Sequence, residues 1–290
     1  MISLHKKRKS RLKSEGGKAW PFLLPSLIGV VIFVLLPFAD VVRRSFCEAM
    51  NTKFVGLKNY SMVLRNEAFR MAVHNTLRFI IICIPLLLLI SLMLSLLLYR
   101  QRKYEQFFKT SFLLPMAIPV ACVVLLWRLL FHEAGLFNGL LNGLGLRKIN
   151  FMNSGWAFVV LILSYLWKNT GYDMILWLTG LNGIASSLFE AASVDGAGKW
   201  AKFRYITLPQ LLPTVFVIGI LSFVNSFKVF REAYLVSGDY PHQSIYLLQH
   251  LFNNWFVSLD IQKMSAAAVM CVTIFIGIIL LFKKLDQDEV

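Results

Sequence analysis

Residues 77–99 read LRFIIICIPLLLLISLMLSLLLY, and after Arg78 the run carries no charge. A bilayer core about 30 Å thick needs about 20 consecutive apolar residues in a helix. This stretch is long enough to cross, and Pro85 is expected to kink it, which neighbouring helices tolerate. Five further stretches have the same character, at about 20–42, 112–132, 155–181, 212–236 and 264–283. The expected fold is therefore all-α and integral to the membrane, with six transmembrane helices. The composition agrees: of 290 residues 57% are hydrophobic and only 16% charged, and the mean hydropathy is +0.64. A soluble domain of this size needs more polar surface, so a soluble enzyme, a disordered chain and a collagen-like fibre are excluded.

The net charge of +15 would suggest nucleic acid in a soluble protein. In a membrane protein it reports Lys and Arg held on the cytoplasmic side. With the N-terminus inside, the inner segments carry 16 Lys and Arg and the outer ones 9, so both termini are expected in the cytoplasm. Residues 1–19 form a basic tail and 20–290 one membrane domain. The apolar run after the tail is too long for a signal peptide, and no small-residue cleavage site follows it. Cys47, Cys83, Cys122 and Cys271 have no short spacing, so neither a disulfide framework nor a zinc site is expected. His132-Glu133 lacks the second histidine of a zinc-protease motif, and no metal is assigned.

The expected inner loop 182–211 carries the most information. Residues 190–213 read EAASVDGAGKWAKFRYITLPQLLP, half apolar, with helix formers on both sides of Gly196 and Gly198. Glycine permits a sharp bend between two short helices, and Pro209 and Pro213 sit where a new helix begins. A long, ordered, half-apolar loop at a membrane surface suggests a docking element. Gly198-Lys199 is not a phosphate loop: that motif needs a glycine at 193 and Ser or Thr at 200, where this chain has Ser193 and Trp200.

Glu190-Ala191-Ala192, then Gly196, then Ile206, Leu208 and Pro209, resembles the EAA signature of permease subunits of bacterial binding-protein-dependent ABC importers. Asp195 and Ala197 complete the DGA form of the carbohydrate branch. Gly171-Tyr172, the run 181–188 and Phe227-Lys228-Val229-Phe230 look like the maltose, lactose and multiple-sugar permeases. So do Asn75-Thr76, Leu114-Pro115 with 127–131, Gly135 with Asn138, and Ser265-Ala266-Ala267. The likeness covers nearly all of 20–283 and is nearest the F-type subunit.

The resemblance implies a type I ABC importer (MetI-like) permease fold with a cytoplasmic coupling helix, in a bacterial plasma membrane. By it, the chain forms half of a translocation pathway for di- or oligosaccharides. Its implied partners are a second homologous permease, two copies of an ABC ATPase and an extracytoplasmic sugar-binding protein. No cofactor is implied in this chain, because ATP and Mg would bind the ATPase. Glu190 would pair with an arginine of that ATPase and Gly196 would supply the bend.

Polar groups inside spans are costly and usually face a cavity or another helix. Tyr165, Lys168, Asn169 and Tyr172 fall at i, i+3, i+4 and i+7, one helical face, with Asp173 beside them. The next span carries Ser222, Asn225, Ser226 and Lys228, then Arg231 and Glu232. Two such stripes can build a wet, aromatic-lined cavity suited to a sugar. The resemblance points to the same helices. The plainer alternatives are helix–helix hydrogen bonding and an i,i+4 pair of Lys228 with Glu232. Arg78 and Arg128, at span edges, read as snorkelling. Of the other function classes, an importer of another small solute comes next. An ion-coupled secondary transporter would not need the EAA loop. An intramembrane enzyme would need a converging catalytic set, and none is visible.

Overall fold

Asn66 opens the longest helix among the described residues: its side chain accepts a hydrogen bond from Phe69 N at 2.9 Å, satisfying a donor that a helix start leaves free. The computed structural model describes residues 20, 23–48, 53–101 and 105–288, without the side chains of 100 and 281–288. The basic tail 1–19 lies outside the described residues. The described fold is helical: α1 (Leu23–Ser45), α2 (Lys58–Arg65), α3 (Glu67–Arg100), α4 (Glu105–Ala117), α5 (Val120–Phe131), α6 (Leu136–Gly143), α7 (Trp156–Asn182), α8 (Ser186–Val194), α9 (Lys199–Lys202), α10 (Leu208–Gln210), α11 (Leu212–Ser226), α12 (Phe230–Ser237), α13 (Leu248–Val257) and α14 (Ile261–Asp288).

Among the described residues five stretches are long and apolar enough to cross a membrane: Leu23–Ser45, Glu67–Tyr99, Val120–Gly143, Leu212–Ser237 and Ile261–Leu280. Helix α3 runs through Pro85 without a break. The stretch read as the third span, 112–132, is two helices divided at Ile118-Pro119, with Pro119 in the N-cap position of α5. The stretch read as the fourth, 155–181, is one helix, α7, of 27 residues, about 40 Å at 1.5 Å per residue. It is long enough to span but not among the five apolar stretches. Lys168, Asn169, Tyr172 and Asp173 lower its apolarity, and packing makes that tolerable: fifteen of its residues are buried.

The chain divides into two compact units. One comprises the described parts of Met1–Leu64 with Ser258–Ile274. Here Asn59 Nδ2 donates to Ser45 O and Cys47 O, both at 2.9 Å, tying the start of α2 to the end of α1. Asp40 holds Arg43 and Arg44 at 2.8 and 2.6 Å. Ser265, Ala266 and Ala267 are buried small residues on α14.

The other unit, Arg65–Val257 with Phe275–Val290, centres on α7, which packs on α3, α4 and α11. Phe79, Cys83 and Leu87 of α3 meet Phe158, Leu161 and Tyr165 of α7 in one apolar cluster. Trp177 Nε1 donates to Ser91 Oγ (3.0 Å), which donates to Leu87 O (2.7 Å). Gly171 lets α4 come close: a Cβ there would lie 1.9 Å from Phe112 O. Asn75 Nδ2 donates to Gln243 O and Tyr246 O at 2.6 and 3.0 Å, and Thr76 Oγ1 accepts from Leu248 N at 3.0 Å. These bonds pin the segment 243–248 to α3. Asn138 performs a similar task, donating to His132 O and Ile149 O and accepting from Ile149 N. The guanidinium of Arg78 lies 4.3 Å from the Phe158 ring centroid. Arg128 Nη2 donates to Leu235 O at 3.2 Å, near the end of α12.

His250, on α13, is fully buried, against the rings of Phe230 and Tyr246. Its Nδ1 accepts from Leu247 N at 3.2 Å. Burial holds its pKa down from 6.5 to about 4, because the charged imidazolium is poorly solvated there. The unfolded chain therefore binds a proton between these values that the folded chain does not. The stability contributed by neutral His250 is complete above pH 6.5 and is lost as the pH falls towards 4. Thermal unfolding between pH 7.5 and 4 should show this slope, and His250→Phe should flatten it; a pH-independent wild type would contradict the assignment.

Candidate functional site

The loop 182–211 forms an elbow. Helix α8 ends in a left-handed glycine: Gly196 has φ +73°, its N–H reaches Ser193 O at 3.2 Å, and Ala197 N reaches Ala192 O at 2.8 Å. This paired closure is the Schellman arrangement, which satisfies carbonyls left free at a helix end. The chain then turns through α9 and a widened turn, Phe203–Thr207, into α10. Lys202 Nζ donates to Ser193 Oγ at 2.5 Å, so the second arm is held to the first. Phe189 and Ile206 anchor the elbow on the cluster of Trp177, Leu181, Ile184 and Leu211. Its outer surface is bare: Val194 is 89% exposed, Trp200 73% and Tyr205 77%. Glu190 is also exposed and makes no ion pair among the described residues. Rigid backing with exposed aromatic, aliphatic and acidic groups is the make-up of a protein-docking surface.

A second feature lies between α7 and the α11–α12 segment. A pocket of about 120 Å³ is lined by Tyr165, Lys168 and Asn169 from one side and Asn225, Lys228 and Glu232 from the other; Met116, Ser164 and Val229 complete it. Lys168 Nζ donates to Glu232 Oε1 at 2.6 Å, a largely buried ion pair between α7 and α12. Lys228 Nζ donates to Asn225 Oδ1 at 2.7 Å. Asn169 Nδ2 donates to Tyr165 O at 2.8 Å. Tyr165 Oη donates to Ser222 O at 2.8 Å, and Ser222 Oγ donates to Asp173 Oδ2 at 2.8 Å. Among the described residues no group of three His, Cys, Asp or Glu side chains converges to hold a metal.

Residues 87–287 match the family described as the binding-protein-dependent transport system inner membrane component. The chain belongs to this family. The permease is 33% identical over 87% of its length, and 86% of the relative, to the sulfoquinovosyl glycerol transport system permease protein SmoG of Agrobacterium fabrum. It is 29% identical over 96% of its length, and 97% of the relative, to the trehalose/maltose transport system permease protein MalF of Thermococcus litoralis. In fold it matches a chain of a bacterial ABC transporter involved in import of the acidic polysaccharide alginate. That match has a TM-score of 0.81 at 22% identity, over 96% of the permease and 99% of that chain. The expected all-α, MetI-like permease fold is thus the observed one, and the permease is a multi-pass membrane protein.

In the permease, five of the eight residues read as a substrate path share the pocket: Tyr165, Lys168, Asn169, Asn225 and Lys228. Tyr172, Ser222 and Ser226 are not in its lining. Ser222 is buried against Asp173, and Ser226 Oγ donates to Phe223 O within its own helix at 2.6 Å. The i,i+4 pairing of Lys228 with Glu232 is not formed, because Glu232 turns to Lys168 instead. Nothing in the spacing of either helix could reveal that bond, which joins residues 64 apart. Met116 and Ser164 carried no signal of a pocket. Removing one partner of a buried ion pair costs about 3–5 kcal/mol. Glu232→Leu should therefore lower the thermal midpoint clearly, and the exchange Lys168→Glu with Glu232→Lys should recover part of the loss. Equal midpoints for wild type and Glu232→Leu would show that the pair is idle.

Proposed function

We propose that the permease forms half of the translocation pathway of an ATP-driven saccharide importer and receives its driving force through the elbow. The observation that carries this reading is the bent, core-anchored elbow with Glu190, Val194, Trp200 and Tyr205 turned outward. Such a surface offers a motor subunit a charge-assisted contact inside an apolar footprint. Glu190, Ala191, Ala192, Asp195, Gly196, Ala197, Ile206, Leu208 and Pro209 make or brace it. Movement at the elbow reaches α7 and α11 through Phe189 and Ile206, and rocking of packed helices is how such work opens alternate sides of a bundle.

The saccharide assignment is supported by the names of the two relatives and by the pocket, whose amides, hydroxyls and tyrosine suit a polyol. In this reading α7 is the sixth spanning helix and both termini are cytoplasmic. A second homologous permease completes the path, and two copies of a separate ABC ATPase bind ATP and Mg. An extracytoplasmic binding protein delivers substrate, as the family description supports. The setting is a bacterial inner membrane, and the permease itself is not an enzyme.

Purification in mild detergent should recover the permease with an ATPase and a second permease, and saccharides should stimulate ATP turnover of that assembly. The isolated chain should hydrolyse no ATP. Robust turnover by this chain alone, or an elbow that contacts no ATPase in the solved assembly, would refute the proposal.

A further inference from the structure

We infer that the pocket between α7 and the α11–α12 segment takes an anionic group, so that the cargo is an acidic saccharide: a sugar bearing a carboxylate, sulfonate or phosphate. This rests on the importer reading and narrows it.

The pocket contains two ammonium groups and one carboxylate, from Lys168, Lys228 and Glu232. Glu232 is committed to Lys168 at 2.6 Å, and these two charges cancel. Lys228 has no carboxylate partner among the described residues; its contact is the amide oxygen of Asn225 at 2.7 Å. An ammonium in the pocket that no carboxylate among the described residues neutralises leaves the pocket with a net positive charge. A substrate anion would balance that charge while it is bound.

Hydrogen-bond valence points the same way. An ammonium only donates, so the Asn225 group facing Lys228 must be its carbonyl oxygen, and the amide NH2 is left as a donor. Lys228 keeps two of its three N–H donors. The pocket thus offers donors from Lys228 and Asn225 at adjacent turns of one segment, with the Asn169 Oδ1 and Ser164 Oγ available for hydroxyls. A planar or tetrahedral oxyanion needs donors and brings none of its own. A neutral hydroxyl can accept from these donors, but it brings a donor of its own and leaves the ammonium charge unbalanced.

The test uses the complete importer in proteoliposomes, loaded with ATP and supplied with its binding protein. The probe is a mixed pool of neutral oligosaccharides from starch and galactan, carboxylated ones from pectin and alginate, and sulfonated and phosphorylated glycosides, with accumulated species read by mass spectrometry. Wild type should accumulate acidic species. Lys228→Met should cut their entry roughly tenfold, Lys228→Arg should retain most of it, and thermal midpoints should stay close to wild type because Lys228 is exposed. Preferential entry of neutral species, unaffected by Lys228→Met, would overturn the anionic assignment while leaving the saccharide importer standing. Equal loss of neutral and acidic entry in Lys228→Met would also overturn it, assigning the lysine to a carboxylate of a neighbouring subunit. Entry of no saccharide at all would reject the importer reading and this inference with it.

Discussion

Replacing Gly171 by valine is expected to leave almost no folded permease. A Cβ at this position would stand 1.9 Å from Phe112 O, 2.3 Å from Phe112 C and 3.0 Å from Leu113 N. All three are backbone atoms of α4, so no side chain can swing aside, and α4 and α7 would have to separate. Overpacking of a close-packed interior already costs about 1–3 kcal/mol when side chains can adjust, and backbone overlap leaves no such adjustment. Even Gly171→Ala should reduce the monodisperse fraction on gel filtration in detergent. Gly139→Ala is the matched control: no atom lies within 4 Å of a Cβ there, and alanine favours a helix. A wild-type melting profile for Gly171→Val would show that α4 and α7 are not packed as described.

Glu190→Lys should abolish most uptake and leave the fold intact. The residue sits on the outer side of α8, exposed, and makes no ion pair among the described residues. Surface substitutions of that kind rarely change stability. A loss of function would therefore come from what the side chain meets outside this chain, where charge reversal would set an ammonium against the cation proposed to meet Glu190. The expected record is unchanged membrane insertion and thermal midpoint, at least tenfold slower uptake, and an ATPase that no longer co-purifies. Unchanged uptake would remove Glu190 from the coupling surface. Gly196→Val would act more mildly, through strain at φ +73° rather than through contact.

The helical membrane fold was legible because lipid imposes a long, continuous apolar run that no other environment requires. The elbow was legible because glycine at 196 and proline at 209 are local devices, and local devices leave local marks. The polar stripe on α7 was legible from its helical period, although only part of it serves the pocket: Tyr165, Lys168 and Asn169 line it and Tyr172 does not. What spacing could not show were bonds between distant segments. Lys168 with Glu232, Asn75 with the 243–248 segment, and Gly171 against Phe112 each join positions far apart in sequence. Several small or polar residues that mark the resemblance have such structural duties, among them Asn75, Thr76, Asn138 and Gly171. The break at Ile118-Pro119 was missed because two apolar helices in succession have the same composition as one.

The polarity of α7 bears on how this chain is made. A segment with Lys168, Asn169 and Asp173 near its middle partitions poorly into lipid when it leaves the ribosome alone. The polar partners of α7 come later in the chain: Glu232 of α12 for Lys168 and Ser222 of α11 for Asp173. Stable insertion of the central helix is therefore expected to depend on the two segments that follow it, and a chain cut after α7 should hold that helix poorly in the bilayer.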